Sequence, residues 1–377
     1  MVYTIFRFGF ALVFLGLHCA LWIGLFREWR RDRGFFSGSG PGEAVPAVRV
    51  SVIIPVRNEA ARLSGLLESL GRQDYSAAEF IFIDDRSTDG SGEALRRFKE
   101  AREGVTLISL QENPGPNRKQ FALCRGIEAA SGELLLFTDA DCEVPPGWIG
   151  AMARRMENPG TGVTLGPVFK KSGGKGFFSL YQCFDHAIRY MYLAASTGMG
   201  AAGGGFGNNL ILRREALDAV GGYDRVPPSP TEDAALVSLI RGATKYGVRS
   251  ACGPDVPVVT RGEHTWKALI NQTLRWNNGG LFSPDITTRI NFGFLMVTIS
   301  MGILAIPLLP FIPSLWPLPS AVLLAMTGNT IATLGIFGPS LPRAAYILQT
   351  VFTPVYFTLL TILGFCGVKP DWKGDPV

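Results

Sequence analysis

The sequence predicts an α/β protein with a mostly parallel sheet, flanking helices and attached transmembrane helices. Three observations predict it. From residue 50 to residue 137, apolar runs of strand length alternate with helical spacing of leucines, the pattern of βαβ units and a parallel sheet. Residues 8–26 and much of 292–368 are apolar at membrane-spanning length. Hydrophobic residues make up 47% and mean hydropathy is +0.21, a balance expected of a soluble domain joined to membrane spans.

The run 8–26 is broken only by His18 and is followed by Arg27, Arg30, Arg31 and Arg33. Basic residues that trail the apolar run, without a small-residue cleavage site, point to an uncleaved anchor rather than a signal peptide. The arginine excess places the chain beyond the anchor in the cytosol. A Gly/Ser/Pro stretch from Ser37 to Gly42 reads as a linker. The first strand is 50–56. Leucines 63, 66, 67 and 70 then give a helix over 59–73. Strand 80–83, helix 91–102, strand 105–110, helix 120–130 and strand 134–137 complete the alternation. Beyond Pro145 and Pro146 the pattern becomes irregular, with an aromatic-rich segment at 177–199 and helices at 231–241 and 266–276. Apolar runs at 292–313, 319–338 and 344–368 are each long enough to span, the first two interrupted by prolines. The organisation expected is an anchor (1–33), a linker (34–47), a cytosolic domain (48–291) and a membrane region (292–377), hence a multi-pass protein of the cell membrane.

Composition excludes some classes. The charge of +5, from 36 basic and 31 acidic residues, is modest, and no basic–aromatic motif accompanies it, so no nucleic-acid partner is expected. Six scattered cysteines without CxxC spacing fit a reduced compartment and no structural zinc.

Four constellations carry candidate chemistry. The strand at Leu134 ends in Asp139-Ala140-Asp141. Residues i and i+2 of an extended segment point the same way, so both carboxylates suit a divalent cation and its phosphates; an acidic turn is the plain alternative. Asp84 and Asp85 close the second strand, where a carboxylate suits a nucleobase or ribose, or simply caps a turn. Thr231-Glu232-Asp233 opens a helix, where acids favour the dipole or supply a general base. Gln272, Arg275 and Trp276 share one helix face, suited to a diphosphate and a stacked sugar, or to anchoring at a membrane edge. His264 reads as a surface histidine and His186 as packing within the aromatic segment.

These motifs in this order, with membrane segments on either side, resemble the membrane-bound family 2 glycosyltransferases of GT-A fold. The resemblance covers residues 50–276. It is strengthened by the strand Val52–Glu59, by Lys119 with Ala122-Leu123, and by Gly221-Gly222-Tyr223-Asp224. It implies that Asp85 binds the base of a UDP-sugar, with Pro55, Val56 and Glu59 lining the pocket. Lys119 and Asp139 then lie by the nucleotide, and Asp141 coordinates Mg2+ or Mn2+. Asp233 is the catalytic base, Gln272 and Arg275 hold the diphosphate, and Trp276 borders the acceptor. Few spans and little polar lining, Asn329 being the clearest polar residue within them, favour one transfer to a membrane lipid over polymer export. Ceramide and carotenoid glucosyltransferases are the nearest likeness, with glucose the sugar expected. A processive polysaccharide synthase and a non-catalytic protein with a transferase-like domain are the alternatives.

Overall fold

In the structure, a computed structural model, the described residues are 2–37, 48–114, 117–171, 173, 176–227, 229, 231–338, 346–368, 371–372 and 375–376. The linker expected at 34–47 falls outside them from residue 38 onward. The chain opens with helix α1 (Val2–Ser37). Then come β1 (Val50–Val56), α2 (Ala60–Gly71), β2 (Ala78–Asp84), α3 (Ser91–Ala101), β3 (Val105–Ser109), α4 (Arg118–Ala129) and β4 (Leu134–Phe137). These match the alternation read from sequence to within three residues at each end. The irregular half resolves into β5 (Cys142–Glu143), α5 (Trp148–Arg154), β6 (Thr161–Leu165), β7 (Val168–Lys171), α6 (Phe177–Gly198), β8 (Leu210–Arg213), α7 (Arg214–Asp218), α8 (Glu232–Ala243), β9 (Gly247–Ser250) and β10 (Val258–Arg261). After these come the helices α9 (Trp266–Leu281), α10 (Ile286–Ala305), α11 (Pro317–Phe337) and α12 (Tyr346–Phe365).

Seven strands form one sheet in the order β3-β2-β1-β4-β8-β6-β9. Its first four strands are parallel, while β8 runs antiparallel to both β4 and β6. A second sheet, β5-β10-β7, lies beside it. Alternation along the strands explains why both faces are covered. Ile53, Ile81, Ile83, Leu135 and Phe137 face α4, α6 and α8, whereas Val52, Ile54, Phe80, Phe82 and Leu136 face α2 and α5. Gly126 lets α4 lie close on the sheet, since a Cβ there would stand 2.6 Å from Ile83 and 2.8 Å from Ile53.

The first helix does more than reach the domain. Leu21 and Leu25 belong to the same core as the sheet residues. At 36 residues α1 is about 54 Å long, and one face of its last turns packs on the domain, burying Glu28 and Asp32. There Glu28 accepts from the Ser250 N–H at 2.9 Å, and Asp32 accepts from the N–H groups of Cys252 and Gly253 at 2.7 Å. Asp32 also pairs with the buried Arg155 at 2.6 Å, which in turn holds Asp255 at 2.8 Å. Gly24 of α1 meets Gly198 of α6 so closely that a Cβ on either would collide with the other helix's backbone.

Among the described residues three helices have the length and apolarity to cross a membrane, Phe8–Phe36, Ile286–Leu308 and Pro313–Phe337, with a shorter apolar helix at Thr350–Phe365. The prolines do not break the spans. Pro307, Pro310 and Pro313 occupy the turn between α10 and α11, and Pro317 and Pro319 sit in the first turn of α11, where proline is tolerated. Asn329 is fully buried and bridges two helices. Its amide accepts from Trp22 Nε1 at 2.8 Å and donates to the Tyr192 hydroxyl at 2.6 Å, beside His18 Nε2.

Candidate active site

The site grows from the C-terminal edge of the parallel strands, where open α/β sheets bind ligands. Here β1 and β2 end in two residues with left-handed backbones, Asn58 (φ 52) and Arg86 (φ 56). The two turns are tied together: Asn58 Oδ1 accepts from the Thr88 N–H at 2.8 Å, and the Asn58 N–H donates to Ser87 Oγ at 3.0 Å. Such a conformation is uncommon for arginine, and clustered backbone outliers mark ligand-binding edges. Between them Asp85 is buried and pairs with Arg86 at 2.8 Å and Arg57 at 3.2 Å. Burial opposes its ionisation, but hydrogen bonds from Arg86 and Asn113 and both guanidinium charges outweigh it. Its carboxyl is held below the usual range.

At the end of β4, Asp139 pairs with Lys119 at 2.9 Å, and Lys119 lies 3.7 Å from Glu232. Burial alone would lower the Lys119 ammonium; Asp139, Glu232 and Asp233 together raise it and keep it charged. Asp233 stands in the first turn of α8. The turn before that helix bends through Gly221 (φ 89) and Gly222 (φ 98). One Asp233 oxygen accepts from the Gly207 N–H at 2.7 Å and the other from the Ala234 N–H at 2.8 Å, so the carboxylate is fixed in orientation. Burial, followed by the charge of Glu232, pushes its carboxyl up to about 6.

Asp141 is partly exposed, accepts from Thr260 Oγ1 at 3.1 Å and lies 3.8 Å from Arg62. Burial and then Asp139 raise its carboxyl above the usual range. A carboxylate whose ion pair is as long as 3.8 Å, beside a second carboxylate, suits an arriving cation. Among the described residues no cluster of three or more Asp, Glu, His or Cys exists to enclose a metal. The chain therefore offers one or two oxygen ligands, as in sites where Mg2+ or Mn2+ arrives with phosphates and water.

Gln272, Arg275 and Trp276 face the cleft from α9. Both ends of the Gln272 amide are engaged: Oε1 accepts from Lys170 Nζ at 2.6 Å, and Nε2 donates to Glu263 at 2.9 Å. Trp276 lies under the Lys170 ammonium, 5.7 Å from its ring centre, and against the His186 ring at 5.1 Å.

All eleven residues singled out from sequence, Pro55, Val56, Glu59, Asp85, Lys119, Asp139, Asp141, Asp233, Gln272, Arg275 and Trp276, line one cleft of about 920 Å3. The same cleft is lined by residues the sequence did not single out, Arg62, Lys170, Phe206, Asn208 and Thr260, and by His186 and His264. His264 is exposed, as expected. His186 is buried against Phe206 with Nε2 unpartnered; burial, then Lys170 and Arg189, push its imidazole well below the usual range and keep it neutral. Its place as one of only three histidines was the single signal of it in the sequence.

Comparison with known proteins agrees with this geometry. The sequence model described as "Glycosyl transferase family 2" matches residues 51–221. An N-acetylglucosaminyltransferase of Rhizobium meliloti is 30% identical over 249 residues, covering 63% of this chain and 56% of that protein. A beta-monoglucosyldiacylglycerol synthase of Nostoc is 25% identical over 275 residues, covering 69% of this chain and 57% of that protein. The chain thus spans about half the length of the curated relatives it matches. Among solved structures, the mannosyltransferase PcManGT of Pyrobaculum calidifontis, in complex with GDP-Man and Mn2+, aligns over 95% of this chain and 98% of its own. Its TM-score is 0.55 at 18% identity, a likeness of fold. With its strand-edge acids and mostly parallel sheet, the chain has the GT-A fold, and its residues 51–221 match the glycosyl transferase family 2 domain.

Proposed function

We propose that the chain is an inverting glycosyltransferase that moves a sugar from a UDP-sugar to the hydroxyl of a membrane lipid. One observation carries this reading most directly. A fixed carboxylate with its acidity tuned to about 6, Asp233, shares a cleft with the Asp139–Asp141 pair. The helix that closes that cleft, α9, leads after four residues into the membrane-length helix α10. A general base near neutral acidity is poised to take a proton from an attacking alcohol. In this scheme Asp85, Pro55, Val56 and Glu59 hold the nucleobase end, and Lys119 and Asp139 the ribose and diphosphate. Asp141 would hold Mg2+ or Mn2+, which when bound supplies charge stabilisation to the departing diphosphate. The lipid oxygen bonds to the anomeric carbon as its proton passes to Asp233. The bond from that carbon to the diphosphate oxygen breaks, and UDP leaves against Arg275. One base and no separate nucleophile support a single displacement.

The catalytic domain faces the cytosol and the apolar helices cross the cell membrane, a topology supported by the arginines after residue 26. Glucose is the sugar we favour, in keeping with the glucosyldiacylglycerol synthase among the relatives; the relative at 30% identity favours N-acetylglucosamine instead. Asn329, bonded between two helices rather than lining a channel, supports one transfer over processive export. The test is UDP release by the purified chain from a panel of UDP-sugars, with and without total lipid extract. Lipid-stimulated, Mn2+- or Mg2+-dependent release from one sugar, lost in Asp233→Asn, is the expected result. No release from any donor contradicts the proposal.

A further inference from the structure

Lys170 is a buried ammonium whose partners carry no negative charge. Its Nζ donates to Gln272 Oε1 at 2.6 Å and Gln182 Oε1 at 3.3 Å, and lies over the Trp276 ring. No carboxylate oxygen of the described residues comes within ion-pair distance of it. Burying a charge this way is costly: burial draws its pKa down to about 8 even though the charges of Glu263, Asp185 and Asp141 act to raise it, so it stays mostly protonated at neutral pH with its cost only partly compensated.

Its position says what compensates. Lys170 lies on β7 directly across from Thr260 on β10, and directly paired strand residues project from the same face. Thr260 donates to Asp141, so the ammonium stands beside the cation-binding carboxylate. Its other neighbour, Gln272, is one helical turn before Arg275. Gln182 and Gln272 are themselves fastened, Gln182 by the Glu263 N–H at 2.6 Å and Gln272 by the Glu263 carboxylate. Lys170 is therefore aimed into the cleft by two clamped amides, with donor capacity left over.

We propose that Lys170 binds the terminal phosphate of the nucleoside diphosphate, and that Gln272 acts on the diphosphate through Lys170 rather than by direct contact. The inference rests on the donor site proposed above. It adds a fixed positive charge, one that a leaving group gaining negative charge at its terminal phosphate would use.

The test is calorimetric titration of the full chain in detergent with UDP and with UMP, in Mn2+, for the wild type, Lys170→Met and Lys170→Arg. GDP and GMP serve as a second pair should the base differ. A lost charge-assisted hydrogen bond corresponds to roughly a ten- to hundredfold loss of affinity. The expected result is that loss for the diphosphate in Lys170→Met, with monophosphate binding changed by less than about twofold and diphosphate binding largely restored in Lys170→Arg. Equal losses for mono- and diphosphate, or a melting temperature lowered with both, would mean a structural plug and overturn the inference. Wild-type diphosphate affinity in Lys170→Met overturns it too. A wild type that binds no nucleoside diphosphate at all removes the donor site itself, and the inference with it.

Discussion

Asp233 reaches the cleft with both oxygens already committed to backbone N–H groups, so it accepts a proton without having to reorient. Its raised pKa sets a pH dependence. In the proposed role the ionised form is the base, so kcat/KM should fall as pH drops through about 6 and level off above it. Asp233→Asn should lower kcat by about 10²- to 10⁴-fold with donor affinity nearly unchanged, which initial-rate kinetics and nucleotide titration separate. Asp141 sits differently: partly exposed, raised first by burial and then by its neighbour Asp139, with the Arg62 guanidinium 3.8 Å away. Asp141→Asn should shift the Mn2+ requirement upward by at least tenfold in a metal titration of activity, in line with the losses seen when metal-site partners are removed. The acids were legible because each ends an apolar strand or opens a helix, where a change of chemistry stands out in the sequence. Lys170, Thr260 and His186 were not. Two lie on four-residue strands too short to show a period, and the third lies in a segment where aromatic packing was the natural expectation.

Among the elements, α1 departs furthest from what its sequence suggests. An apolar run followed by arginines reads as a tether, and Glu28 and Asp32 pass for part of a charged membrane edge. In the fold they are buried, and Asp32 satisfies two N–H groups and a guanidinium of the catalytic domain. Removing one partner of a buried, hydrogen-bonded pair typically costs about 3–5 kcal/mol. Asp32→Ala should therefore destabilise the domain by that order in chemical unfolding, and Asp255→Ala, whose carboxylate is a quarter exposed, by clearly less. Gly198→Leu should force α6 away from α1 and expose the core that Leu21 and Leu25 complete, read as a lowered melting temperature. The first four strands were legible because a parallel sheet covered on both faces demands near-continuous apolar runs. The antiparallel β8 and the small sheet β5-β10-β7 were not, since pairing between short strands distant in sequence leaves no local pattern.

For the whole molecule, the consequence is that the apolar helices are packed directly onto the domain that carries the cleft. The α1 helix contributes Leu21 and Leu25 to the domain core, α9 leads from the cleft into α10, and Ala11 and Phe14 of α1 share an apolar cluster with α10. Within the apolar helices the polar side chains of Trp22, Tyr192 and Asn329 satisfy one another. They act as interhelical glue, of the kind polar groups provide in membranes. On the proposed function, the donor comes from water, the acceptor from the bilayer, and one sugar is added per acceptor. The most direct measurement is mass spectrometry of a total lipid extract incubated with the purified chain, Mn2+ and the UDP-sugar that it turns over. The account predicts one lipid class heavier by a single sugar residue, and no such species with Asp233→Asn. A ladder of sugar additions, or unchanged lipids while UDP is released, would contradict it.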